Sequence, residues 1–256
     1  MIPDNLHVGP IPIHLFGLFL AAAFLVAGQV ASREFVRMGY RDDVGGSAMA
    51  WAVFGSLVGA KLWLVVSEWR AFASDPLDYL LAGSGWVFYG GLAGGALAVT
   101  WVLRREGIPW LRGADACAPA IVIGQAIGRL GCQVSGDGDW GVVTTLPWGM
   151  RYPHAVVGWP YDDPAIRVHP TPLYEAAAYF AVFAWLWRRR TDVAPDGTQF
   201  ARYLLLASGA RFAVEFVRTN PVVAFGLTAA QLASLLLMAT GAGILAGARR
   251  WRRVAA

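Results

Sequence analysis

Arg129, Arg211, Glu215 and Arg218 are charged residues set in apolar surroundings, and their types and spacing suit them to handling an anion. Arg129 lies in Gly124–Gly141, GQAIGRLGCQVSGDGDWG. The first half of that stretch is apolar enough to enter a bilayer, and the second half is a glycine-rich turn holding Asp137 and Asp139. An arginine at the centre of a bilayer costs upwards of ~2.5–3.5 kcal/mol, so Arg129 either has a built-in partner or receives an anion. Arg211, Glu215 and Arg218 recur at i, i+4 and i+7, which places them on one face of a helix. A guanidinium presents a planar fork suited to phosphate oxygens. Bringing Arg129 to that face would make a pocket with surplus positive charge, and a phosphodiester held by its tails in the same layer is its natural ligand. Such a pocket would also stabilise a departing phosphate. The plainer alternative is an internal Arg211–Glu215 ion pair, with Arg129 snorkelling to the interface.

Other polar residues carry two readings each. Glu175 follows Pro170 and Pro172 at a helix start, where a carboxylate either meets the positive helix end or contacts a pocket arginine. His169 either shuttles a proton near neutral pH or packs in its loop. Asp137 and Asp139 bind an arginine, orient an incoming group, or are solvated turn residues. Cys132 reads as a packed free cysteine, with nothing beside it in sequence to lower its pKa and make it a nucleophile. Tyr174, Trp140, Trp148 and Trp159 read as an interfacial aromatic belt. Gly90, Gly91, Gly94 and Gly95 read as a close helix-packing face.

The elements that must position these residues are membrane helices. Hydrophobic residues make up 57% of the 256, only 15% are charged, the mean hydropathy is +0.48, and there are 12 tryptophans. A soluble domain has about a quarter of its residues charged, so the composition indicates an all-α polytopic membrane protein. The net charge of +4 comes from arginines scattered at helix ends and gives no nucleic-acid signal. Cys117 and Cys132, if on one helix, lie ~22 Å apart at 1.5 Å per residue, too far for a disulfide. Neither metal-ligand spacing nor a phosphate loop is present, so no metal or other cofactor is expected.

In order, the apolar runs are Ile11–Ala31, Ser47–Ser67 with Lys61 inside, Trp86–Leu103, Ala114–Val134, Thr171–Trp187, Phe200–Val217 and Phe225–Gly247. A short acidic-leaning loop with Glu68, Asp75 and Asp78 follows the second run. Each run approaches the ~20 residues that span a hydrocarbon core. Met1–Pro10 lacks the basic start of a cleaved signal peptide. Fourteen of the 21 basic residues lie at the ends that follow runs one, three, five and seven: Arg33, Arg37, Arg41, Arg104, Arg105, Arg112, Arg188, Arg189, Arg190, Arg249, Arg250, Arg252 and Arg253, with Arg202 at the start of run six. The positive-inside rule then predicts seven transmembrane helices, with the N-terminus outside and the C-terminus cytoplasmic. Arg129 and a polar loop at about 135–169 fall on the outer face. Residues 1–256 read as a single transmembrane helical domain without an internal repeat, and a monomer is the expectation.

Over nearly its whole length the chain resembles the prolipoprotein diacylglyceryl transferase family. GPIPIHLFG at Gly9–Gly17 is similar to that family's opening segment, and FYGGLAGG at Phe88–Gly95 to its glycine-rich third-helix motif. GRLGCQVSGDGDWG at Gly128–Gly141 resembles its signature. HPTPLYEA at His169–Ala176 and GARFAVEFVR at Gly209–Arg218 resemble its last two motifs. The resemblance implies an integral enzyme of the bacterial cytoplasmic (inner) membrane with its site towards the outer face. It would move the diacylglyceryl group of phosphatidylglycerol to the lipobox cysteine of a prolipoprotein and release glycerol phosphate. It further implies that Arg129, Arg211 and Arg218 bind the lipid phosphate and Glu215 fixes Arg211. Tyr89 or His169, with Asp139, would deprotonate and orient the acceptor thiol. His14, Lys61, Cys132, Asp137 and Glu175 would give support. The chain departs from the family pattern at Tyr89, where a histidine is usual, at Phe16 for tyrosine, at Cys132 for asparagine and at Lys61 for arginine. The SGDGDWG segment is also one residue longer. Those departures leave room for a transferase with another acceptor, and the arginine pocket alone would also suit an anionic-lipid or anion transporter.

Overall fold

The computed structural model describes residues 5–8, 11–77 and 87–254, with the side chains of 5–8, 11–13, 88 and 249–254 left aside. The expectations placed on Met1–Asp4, Gly9, Pro10, Asp78 and Trp86 lie outside those residues. A hairpin of β1 (Asn5–Val8) and β2 (Ile11–His14) leads into α1 (Leu15–Arg37). The first apolar run therefore begins extended rather than helical. Pro12 biases the residue before it away from the helical region.

The chain divides into two compact units, residues 28–113 and residues 1–27 with 114–256. The first holds the end of α1, α2 (Asp43–Ser67), the short α3 (Trp69–Ser74) and α4 (Phe88–Arg105). Here α2 and α4 touch backbone to backbone through two GxxxG faces. A Cβ on Gly59 would lie 2.3 Å from the Gly90 carbonyl oxygen, and one on Gly94 would lie 2.1 Å from that of Gly55. Trp51 and Trp101 seal one edge of this contact with ring centroids 4.9 Å apart.

The other unit contains α5 (Trp110–Ser135), α6 (Thr171–Arg189), α7 (Thr198–Val214), a 3-10 turn at Glu215–Val217, the hairpin β3 (Val222–Ala224) and β4 (Leu227–Thr228), and α8 (Ala229–Val254). Val122 and Ala126 of α5, Tyr179 and Leu186 of α6 and Ala207 of α7 form its apolar centre. The start of α7 is tied to α5, because the buried Asp115 carboxylate accepts the Gly197 and Phe200 amides at 2.7 Å each. It thereby satisfies donors that a helix start leaves open.

Each of the seven apolar runs corresponds to a helix. Four of these helices are long and apolar enough to cross a membrane: α1, α2, α5 and Ala229–Ala248 of α8. α4 and α6 are 18 and 19 residues with paired arginines at their ends, and α7 has 17 residues including Arg202 and Arg211. The seventh run also differs at its start. Phe225 and Gly226 adopt φ of 54° and 73° and turn the β3–β4 hairpin before α8 begins.

The loop between α5 and α6 has its own core. Trp140 stacks on Tyr152 at 5.1 Å, with Trp159 and Tyr161 completing the cluster. Trp140 is therefore inside the loop rather than part of an interfacial belt, and Trp159 packs on it. Of the three loop tryptophans read as a belt, only Trp148 is exposed.

Candidate active site

α5 ends at Ser135, and Gly136 and Gly138 follow with φ of 63° and 91°, a region open to glycine at little cost. This turn carries Asp139 back over the end of α5. The strand-like segment after it is held on two sides. The Gly141 amide donates to the His169 carbonyl at 2.8 Å and the Val142 amide to that of Val217 at 2.9 Å. A Cβ on Gly141 would come within 2.2 Å of the Val217 oxygen, so the last glycine of the signature lets three distant motifs meet. The Thr171 hydroxyl adds a hydrogen bond to the Asp139 carbonyl.

Around that junction three guanidinium groups alternate with three carboxylates. Arg129 pairs with Asp139, and its Nε lies 2.9 Å from Glu175 Oε2. Arg211 pairs with Glu215 one helical turn on, and its Nε lies 3.2 Å from Glu175 Oε1. Arg218 pairs with Asp139 and approaches Glu175 at 3.5 Å and Glu215 at 3.6 Å. Glu175 is fully buried at the centre. Neither of its oxygens makes an aligned hydrogen bond, so ion pairing holds it. Glu215 also accepts from the Asn220 amide at 2.8 Å and the Thr228 hydroxyl at 2.7 Å.

This arrangement differs from the sequence expectation in two respects. The cluster is charge-balanced rather than positive, because Glu175 and Asp139 both turn towards the arginines. Removing three guanidinium groups from water without counter-charges would be prohibitive. Arg218 also arrives by another route than helical spacing: α7 stops at Val214, and Arg218 is extended and bridged to Gly141. Pro221 biases Asn220 away from helix and helps end the element there. Arg129 and Arg211 keep 23% and 18% of their side chains exposed, and Arg218 only 6%. The first two are the arginines that an arriving anion can reach.

Asp139 is held below its ordinary value. Burial alone would raise it, but the Arg218 hydrogen bond and the Arg129 charge outweigh that. Asp137 is raised by burial, against a hydrogen bond from the Cys132 thiol. Cys132, Asp137 and Asp139 converge within 4.8 Å. A metal there would have to compete with two arginines for Asp139, so this donor set does not fit a cation well.

His169 faces a shallow apolar groove formed with Leu146, Trp148, Tyr174, Val214 and Val217. The Tyr174 hydroxyl accepts from Trp148 Nε1 at 2.8 Å and lies 3.1 Å from His169 Nδ1. Phe16 packs on Gly131, between Arg129 and Cys132 in sequence. His14 closes β2 and is exposed. Tyr89, exposed at the first turn of α4, and Lys61, half-buried within α2, belong to the other unit. Thr171, Asn220 and Thr228 escaped the sequence reading, since a lone hydroxyl or amide near a turn carries no spacing signal.

The motifs that build this junction lie within a match that runs the length of the chain. A model of the family described as prolipoprotein diacylglyceryl transferase matches residues 3–246. A phosphatidylglycerol–prolipoprotein diacylglyceryl transferase of Corynebacterium diphtheriae is 30% identical, covering 96% of this chain and 92% of that protein. Proteins of the same name from Lactiplantibacillus plantarum and Synechococcus elongatus are each 31% identical. They cover 98% and 93% of this chain and 89% and 84% of their own lengths. With a family match over nearly every residue and relatives matched almost end to end, the chain belongs to the prolipoprotein diacylglyceryl transferase family.

Proposed function

We propose that this protein transfers the diacylglyceryl group of phosphatidylglycerol to the cysteine thiol of a prolipoprotein lipobox and releases glycerol phosphate. The observation that carries the reading is the pair of partly exposed arginines, Arg129 and Arg211, held apart and aimed by the buried Glu175 between them. The names of its relatives support the same substrates.

In this reading the lipid phosphate displaces part of the Asp139 contact and is clamped by Arg129 and Arg211, with Arg218 adding charge from behind. Glu215 and Glu175 fix the guanidinium planes, which lowers the cost of orienting them when substrate arrives. The acceptor thiolate attacks the glyceryl carbon, an S–C bond forms, and the C–O bond to phosphate breaks. The electron pair leaves with glycerol phosphate, whose added charge the arginines stabilise. The nucleophile is the substrate's own, so none is required of the enzyme. His169 and Tyr174 orient the acceptor along the apolar groove. Tyr89, Lys61 and His14 enter only through the family resemblance.

The reading also includes one domain of seven spans in the bacterial cytoplasmic membrane, acting as a monomer. The N-terminus and the loop at about 135–169 are outside and the C-terminus is inside. The arginine distribution supports it.

The test is glycerol phosphate release by purified protein from phosphatidylglycerol vesicles, with and without a lipobox-cysteine peptide. Cysteine-dependent release with a lipidated peptide is expected. Release that other acceptors support and cysteine does not would mean a different acceptor, a possibility raised by Tyr89, Phe16 and Cys132. Lipid movement without any product would mean transport.

A further inference from the structure

The three carboxylates of the arginine cluster are all committed. Asp139 is shared by Arg129 and Arg218, Glu175 lies among three arginines, and Glu215 holds Arg211 with two further hydrogen-bond donors. Asp139, compensated by two guanidinium groups, has little tendency to take a proton, and Glu175 and Glu215 are buried. Asp137, two residues from Asp139 and at the edge of the same cluster, forms no ion pair among the described residues. Its Oδ1 accepts the Asp139 amide at 3.2 Å, and a carboxylate oxygen of Asp137 lies within 4.8 Å of Cys132 Sγ. Cys132 in turn lies 3.8 Å from Nη1 of Arg129. A thiol thus already sits close to both this carboxylate and a phosphate-facing arginine, and Asp137 is half-buried.

From this geometry we infer that Asp137 is the general base that takes the proton of the acceptor thiol. The inference rests on the transferase reading and deepens it. The S–H proton passes to the Asp137 carboxylate, and the sulfur forms its bond to the glyceryl carbon. The C–O bond to phosphate breaks with its electron pair, and the proton then leaves to solvent or to the released phosphate. Groups facing Asp137 are Cys132 and Arg129 from α5, Asp139 from the turn and Tyr152 from the loop. Tyr152 is itself pushed up to about 12 by burial. Burial raises Asp137 towards the range in which a carboxylate is an effective base. The role of Asp139 becomes positional: it aims two arginines.

The deciding experiment measures glycerol phosphate release from phosphatidylglycerol vesicles by wild type, Asp137→Asn, Asp137→Glu and His169→Gln between about pH 5.5 and 9.5. Two acceptors are used, a lipobox-cysteine peptide and its selenocysteine counterpart, whose selenol is ionised at neutral pH and needs no base. Asp137→Asn should lose on the order of 100-fold or more at pH 7 with the thiol peptide, yet stay within several-fold of wild type with the selenol. Its deficit with the thiol should shrink as pH passes the ordinary cysteine value of ~8.5. Asp137→Glu should keep thiol activity with a displaced acidic limb, which covers the case in which the asparagine variant does not fold. Equal losses with both acceptors would make Asp137 structural and overturn the assignment. So would selenol-selective rescue in His169→Gln, which would give the proton to His169. Wild type that releases nothing with either acceptor would remove the transferase reading itself.

Discussion

Glu175 shows how a single residue organises this site. Its carboxylate is fully buried, meets three guanidinium groups at 2.9 to 3.5 Å and makes no aligned hydrogen bond. Removing one member of a buried ion cluster leaves uncompensated charge, which typically costs about 3–5 kcal/mol. Glu175→Gln, which keeps the shape, should therefore lower the melting temperature of the detergent-purified protein and abolish transfer. An unchanged melt would mean that water enters the cluster freely. Asp139 makes a complementary case through pH. Its carboxyl is held below the ordinary value of 3.8 in the folded protein, so its contribution to stability is complete above that value and is lost as pH falls through the lower folded value. The melting difference between wild type and Asp139→Asn should be constant above about pH 5 and shrink on acidification. A difference that widens in acid would contradict the ion-pair assignment. Of this cluster, the Arg211–Glu215 pair was legible in sequence, because i, i+4 spacing on a helix is a local rule. The Asp139–Arg218 contact was not, because it joins residues 79 apart through a loop whose path depends on Gly141 slipping between two backbones.

At the scale of elements, helix contacts in an apolar solvent depend on shape, since lipid tails compete for any apolar surface. α2 and α4 meet through Gly55, Gly59, Gly90 and Gly94; the α4 glycines read as a packing face in the sequence, whereas their α2 partners did not. Gly46, also in α2, would meet nothing within 4 Å if given a Cβ. Two substitutions on one helix should therefore move stability in opposite directions. Gly59→Leu must force the helices apart and should cost at least about 1–3 kcal/mol. Gly46→Ala removes backbone freedom from the unfolded chain and should be neutral or add up to about 1 kcal/mol. Comparable melting shifts in both variants would exclude the close contact. Asp115 was not legible in the same way: its partners, the Gly197 and Phe200 amides, lie 82 and 85 residues on. Trp140 was misread because a tryptophan in a loop of a membrane protein suggests an interface, whereas here the loop is large enough to bury a core of its own.

For the whole molecule, the distribution of arginines makes the strongest claim, and it concerns orientation. In the proposed orientation the flanks of α1, α4, α6 and α8, which carry most of the arginines, stay on the cytoplasmic side because moving guanidinium groups across a bilayer during insertion is costly. The charge-balanced cluster obeys a different rule. Arg129, Arg211 and Arg218 have matched carboxylates and so are tolerated on the proposed outer side. Two exposed positions separate the faces: Val157 in the loop after α5 and Val193 between α6 and α7 are 61% and 94% exposed. Each is changed to cysteine in a protein carrying Cys117→Ala and Cys132→Ala, so that the introduced thiol alone reacts. A membrane-impermeant maleimide added to intact cells with a permeable outer layer should label Val157→Cys and leave Val193→Cys unlabelled until the membrane is opened. The reverse pattern would turn the protein over and place the arginine cluster on the cytoplasmic face. Lipid and acceptor would then have to reach it from inside the cell. Labelling of both in intact cells would break the seven-span count, because an even number of crossings would separate two segments that the arginines assign to opposite sides.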